Sequence, residues 1–230
     1  TNTYESKPMA GGATVTAASC ENKTGQLDVQ AAVDLAVNGD TVVIPVGSCT
    51  WDVTVTPGGK YFTLTGSGSL ATIITDAVPK SGAAAARRLL HWDTVAGGLT
   101  RVTNIKWIGG VLTDSSSPGM IMMAGNSDQV RFDNNVVVDT TLQPFKVSGY
   151  VRGVADHNTF DRDSISGTNN GVTIDHPTWG DVGSSGDNSW AQTETFGSAE
   201  AFYLEDNTWT TSSGTATRFA IDGQSGGGVW

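Results

Sequence analysis

Three segments of this chain follow one formula. FDNNVVVD (Phe132 to Asp139), ADHNTFDR (Ala155 to Arg162) and LEDNTWTT (Leu204 to Thr211) each set an acidic residue, a polar residue and an asparagine ahead of a β-branched and then an apolar or β-branched residue. With Asn135, Asn158 and Asn207 in register, Phe132, Ala155 and Leu204 fall three places before the asparagine, and Val137, Phe160 and Trp209 two places after it. The first spacing is 23 residues and the second is 49, close to two such periods. A period in the low twenties carried by short strands is the signature of a solenoid, in which each lap stacks on the one before. GVTIDHP, Gly171 to Pro177, then marks an intermediate lap, and VTNIKW around Asn104 fits one place out of phase.

Asparagine suits the corner of such a lap for two reasons. It tolerates the left-handed backbone of a tight bend, and stacked asparagine side chains hydrogen-bond along the stack. The three asparagines are therefore expected to be architectural. The other apolar runs, DTVVIPVGSCTW, YFTLTGSGS, ATIITD, LLHWD, MIMMAG and QVRFDNNVVVD, are short and separated by turn residues, as in an all-β chain. One helix is predicted in TGQLDVQAAVDLAVNGD. Val29, Val33 and Val37 share a face with Ala32 and Ala36, Thr24 can cap the start, and Asn38-Gly39 supplies a stop. The whole chain, 1–230, reads as one domain: lead-in and cap helix over 1–39, laps over 40–230, and a loop insertion at about 176–200.

The formal charge of −10 disfavours nucleic acid and anionic membranes as partners, and leaves neutral glycans unpenalised. No stretch has the roughly 20 apolar residues that span a bilayer. The two cysteines, Cys20 and Cys49, form a disulfide if the protein works outside the cell and stay buried thiols otherwise.

The LDVQAAVDLAVNGDTVVIPVGSCTW opening and the repeats that follow resemble the right-handed parallel β-helix proteins of the pectate-lyase-like superfamily, over most of the chain. The resemblance implies a single-stranded right-handed parallel β-helix whose N-terminal amphipathic helix closes the core. It also implies an extracellular, cell-surface or virion-surface protein that binds or cleaves polysaccharide as a lyase or glycoside hydrolase. The alternative within the same superfamily is a non-catalytic fibre, tailspike or adhesin segment that assembles through its C-terminal end. TIDHPTW and VADHNTF are similar to the WIDH lap of pectate lyases, whereas the Arg-rich motif of those enzymes and the GHG and RIK motifs of polygalacturonases have no counterpart.

Asp161, Asp163 and Asp175 follow lap corners and, with Asp181, are the candidate catalytic carboxylates, by acid/base or Ca²⁺-assisted chemistry. Trp179 and Trp190, with Asp187 and Glu194, occupy the longest irregular stretch and are the candidate sugar platforms and hydroxyl acceptors. His157 sits in a repeat slot and is expected to be structural, His176 beside Asp175 is a candidate acid/base partner, and Arg152 and Arg162 are candidate lyase bases or charge clamps.

Overall fold

The structure, a computed structural model, describes residues 12–81, 87–109, 120–138, 144–161, 172–175, 202–210 and 221–224, with the backbone alone for 173–175 and 221–224. Among these residues there is one helix, α1 (Asp28–Leu35), and two sheets in which every pairing between strands is parallel. One sheet holds β1 (Thr14–Thr16), β2 (Thr41–Ile44), β4 (Thr63–Gly66), β6 (Leu90–Thr94), β7 (Thr100–Thr103), β9 (Ile121–Asp133), β11 (Phe145–Asp156), β13 (Val172–Asp175), β14 (Phe202–Glu205) and β16 (Ile221–Gln224). The other holds β3 (Gly47–Trp51), β5 (Thr72–Asp76), β8 (Lys106–Ile108), β10 (Val136–Val138), β12 (Thr159–Asp161) and β15 (Thr208–Thr210).

Side chains stack on their counterparts one lap later. In the larger sheet the inward column runs Val42, Leu64, Val102, Phe132, Ala155, Leu204. In the smaller it runs Cys49, Ile74, Trp107, Val137, Phe160, Trp209. These columns meet in one core, where Trp51, Trp92, Trp107, Phe132, Phe145 and Phe160 are all but completely buried. Aromatic rings stack along it, with Phe132 and Phe145 at 4.4 Å and Phe160 and Trp209 at 4.5 Å between centroids.

Two corners set this path. At the first, between the larger and the smaller sheet, Asn135 donates its backbone N–H and Nδ2 to Asn158 Oδ1 at 3.0 and 3.3 Å, and Asn158 donates likewise to Asn207 Oδ1 at 3.0 Å each. Each Nδ2 also reaches a carbonyl of the preceding lap: Val102, Phe132 and Ala155 respectively. The expected asparagine ladder is present, with two changes. The left-handed bend belongs to the residue before each asparagine, Asn134, His157 and Asp206 at φ 53, 55 and 49°. Asn104 at φ 61° fills that same slot, which explains its one-place shift; Ile105 follows it, and its N–H donates to Asn135 Oδ1. Secondly, Asn158 and Asn207 are on neighbouring laps, because β12 pairs directly with β15. The 49-residue spacing is therefore one lap with a long connection, and β13 belongs to that lap. Loop-closure entropy grows only logarithmically with length, so such a lap remains affordable.

At the second corner β9 and β11 bend without leaving the sheet. Their first parts pair with β6 and β13, their last parts with β7 and β14. Gly125 and Gly149 make the bend at φ 115 and 84°, and a Cβ on Gly149 would sit 2.5 Å from the Gly125 carbonyl oxygen. Left-handed backbone and stacked carbonyls leave no other residue type at ease there.

The helix lies against β1 and β2 and buries Val29, Ala32 and Val33. It is shorter than predicted. It ends at Leu35, and Val37 lies beyond it, 63 % exposed. Thr24 does not cap it; its N–H and hydroxyl go to Asp52 Oδ1. Buried Asn22 takes that role from outside the helix by accepting from the Gln30 N–H at 3.0 Å. At the other end the Lys60 ammonium donates to the carbonyls of Val33, Asp34 and Ala36 at 3.1, 3.0 and 2.9 Å, a cation where the helix dipole is negative. Gly39 turns the chain at φ 93°, as expected. The Cys20–Cys49 disulfide ties the lead-in to β3, and Trp51 Nε1 donates to the Cys20 carbonyl at 2.7 Å.

Replacing Asn158 by Ala strips the Asn135 N–H of its acceptor and the Phe132 carbonyl of its donor inside the core. The expected cost is about 3 kcal/mol in urea unfolding, against less than about 1 kcal/mol for the exposed neighbour change His157→Asn, which keeps the left-handed slot. Removing the disulfide in Cys20→Ala/Cys49→Ala is expected to cost roughly 3–4 kcal/mol, read the same way.

Candidate functional site

The outer face of the larger sheet carries an ordered set of charges. Arg101 on β7 donates through Nε and Nη2 to Asp133 on β9, at 2.7 and 2.5 Å. One lap on, Arg131 on β9 donates through the same atoms to Asp156 on β11, at 3.0 and 2.7 Å. Register produces this repeat: Arg101 pairs with Arg131, and Thr103 with Asp133 and then Asp156, so each guanidinium reaches the carboxylate one strand ahead. Asp133 also accepts from Thr103 and Asn134, and Asp156 has His157 Nδ1 at 2.8 Å. Burial pulls the Asp156 carboxyl up, but the hydrogen bonds and charges of Arg131 and His157 outweigh it and hold it below the usual carboxylate value. Asp156 is therefore a locked acceptor and a poor proton donor, and Asp133 is fully engaged by Arg101, Thr103 and Asn134.

A second group lies on β6, where His91 and Asp93 flank buried Trp92. His91 Nε2 is 3.2 Å from Asp93 Oδ1, and Arg88 Nη1 is 3.2 Å from His91 Nδ1. A guanidinium can only donate, so Nδ1 accepts and the ring proton sits on Nε2, toward Asp93. Burial and then the adjacent Arg87 charge push the Arg88 guanidinium down to about 10, against the pull of Asp93; it stays cationic at neutral pH. Along the strands, His91 is followed by Met122, Lys146 and Thr173, and Asp93 by Ala124, Ser148 and Asp175. Ala124, Gly125, Ser148 and Gly149 make this a strip of small residues, bordered by Lys146 on one side and by half-exposed Tyr150 and exposed Asn126 on the other.

The candidate carboxylates from the sequence divide between the sheets. Asp161 closes β12 in the smaller sheet, between Val138 and Thr210, whereas Asp175 lies in the larger, in register with Ser148 and Gln224. Asp163, Asp181, Trp179, Trp190, Asp187 and Glu194 lie outside the described residues, as do His176 and Arg162. Among the described residues no three His, Cys, Asp or Glu side chains are grouped to hold a metal ion, and no helix is long and apolar enough to cross a membrane. Sequence reading passed over Arg88, Arg101 and Arg131. For Arg131 the signal was present in RFD, where two charged residues flank an inward aromatic and so share one outer face, as His91 and Asp93 do in HWD.

Comparison of the chain with protein-family models, with curated proteins and with solved structures found no match.

Asp156 gives a test by pH. Unfolded aspartate takes up its proton near pH 4, while native Asp156 resists to a lower value. Stability from this pair is therefore full above about pH 4 and is lost as the pH falls through the depressed native value. Arg131→Met is expected to cost roughly 2–3 kcal/mol at pH 7, and to show a shallower further loss between pH 6 and pH 3 than the parent, in urea midpoints measured across that range.

Proposed function

We propose that the chain is a right-handed parallel β-helix of the pectate-lyase-like kind, working outside the cell or on a cell or virion surface, and that it binds polysaccharide on the face that begins at β6. What supports the fold is the uniformly parallel register, the asparagine ladder and the helix against the first strands. The disulfide supports the location.

The binding face rests on one observation. The long connections of the chain adjoin one half of the larger sheet: residues 110–119, 139–143, 162–171 and 211–220 lead into β9, β11, β13 and β16, and 176–201 leave β13. A regular sheet bordered by long connections is a common setting for a binding surface. The described part of that face offers sugar-compatible groups: the small-residue strip, Tyr150 as a ring platform, and Lys146, Asn126 and the Asp93 carboxylate for hydroxyls. Trp179, Trp190, Asp181, Asp187 and Glu194 belong to the connection that leaves β13. Binding comes ahead of cleavage in this reading, because Asp133 and Asp156 are committed to arginines. Acid/base or Ca²⁺-assisted cleavage on this face would fall to Asp163, Asp175 or Asp181, because Asp161 stands in the smaller sheet.

The test is a panel of neutral and acidic polysaccharides, read by affinity electrophoresis and by release of reducing or unsaturated ends, with and without calcium. Retardation by at least one glycan is expected, weakened about tenfold or more by Tyr150→Ala or by Trp179→Ala/Trp190→Ala. No retardation by any member would defeat the binding reading and leave the structural one. New chain ends that vanish in Asp175→Asn or Asp181→Asn would add catalysis.

A further inference from the structure

The outer face of the smaller sheet differs from that of the larger. Its two rows are Ser48, Ile73, Lys106, Val136, Thr159, Thr208 and Thr50, Thr75, Ile108, Val138, Asp161, Thr210. All of these side chains are partly or fully exposed, and of the twelve only Ser48, Lys106 and Asp161 are not β-branched. β-Branched side chains have few rotamers to lose on contact, and without aromatic rings the face is ill suited to sugar.

Lys106 and Asp161 are its two charges, of opposite sign. They stand on the strands either side of β10 and two residues apart along them, roughly 12 Å apart by strand spacing and rise. One opens β8 and the other closes β12. Neither is in an ion pair among the described residues, and Asp161 Oδ1 is buried without a hydrogen-bond partner. On the larger sheet, by contrast, Arg101 and Arg131 each hold a carboxylate in two bonds.

We propose that this face docks a second copy of the chain about a two-fold axis. An axis lying between two such faces and crossing Val137 diagonally brings Lys106 over the partner's Asp161 and Asp161 over the partner's Lys106. Val136 and Val138 then pack at the centre. The face is self-complementary in the way an isologous contact requires. Six strands of about three residues cover roughly 250 Å², a third of the ~800 Å² that a standard interface buries on each partner. An interface of this size belongs to the weak, transient class. Its contact residues are separate from those of the proposed glycan face.

Sedimentation equilibrium of the whole chain, from about 10 μM to 1 mM, tests the proposal. The expected result is a monomer–dimer equilibrium weakened by salt. Lys106→Glu and Asp161→Lys should each raise the dissociation constant about tenfold or more. An equimolar mixture of the two variants should associate again, since a heterodimer forms Glu–Lys and Asp–Lys pairs at both positions. Circular dichroism checks that each variant is folded. A monomer at every concentration, self-association unchanged by either reversal, or a mixture that stays monomeric would each overturn it.

Discussion

The bond from each corner asparagine to the next is the constraint on which the other features rest. At a corner the chain changes sheet, and its backbone groups lose their neighbours in the ladder of strands. Asn135 and Asn158 replace both partners at once: Oδ1 accepts from the lap on one side, and Nδ2 donates to a carbonyl and to the next Oδ1. A buried N–H left unpaired costs about as much as several apolar contacts gain. The corner therefore fixes the register, and register decides which residues face the core. A slip of one residue would turn Phe132, Phe160 and Trp209 outward and Arg131 inward.

Because the corners hold the laps, the connections between them are free to vary. The inward column advances by 22 residues from Val42 to Leu64, 38 to Val102, 30 to Phe132, 23 to Ala155 and 49 to Leu204, yet every step pairs in parallel. The shortest laps approach the bare circuit, and the surplus in the others is carried by connections. Lys80 shows how one is anchored: its ammonium bonds Asp76 at 2.6 Å and the Arg87 carbonyl at 2.9 Å, on the two sides of residues 82–86.

What could be read from the sequence follows from this division. Phe132/Ala155/Leu204 and Val137/Phe160/Trp209 were legible because stacking demands like residues in like places. The position of the left-handed residue was not, since Asn, His and Asp all accept that backbone and the adjacent asparagine drew attention from them. Lap number was misjudged because spacing counts residues, whereas pairing counts laps. The caps of α1 were missed for a related reason: Asn22 and Lys60 reach it from outside the helix, and Lys60 from beyond β3, which no local motif records.

The same logic separates charges that hold the stack from charges open to other work. Arg101 and Arg131 lie one lap behind the carboxylates they bind, so their pairs cross strands and reinforce the parallel register. The series lapses at the next lap, where Val154 and Tyr203 occupy the arginine row and Glu205 continues the acidic one. Glu205 is thus an acidic residue of the motif without an arginine one strand behind it, on the strand that follows residues 176–201. The motif that links β7, β9 and β11 is thus relaxed at the lap that holds residues 176–201.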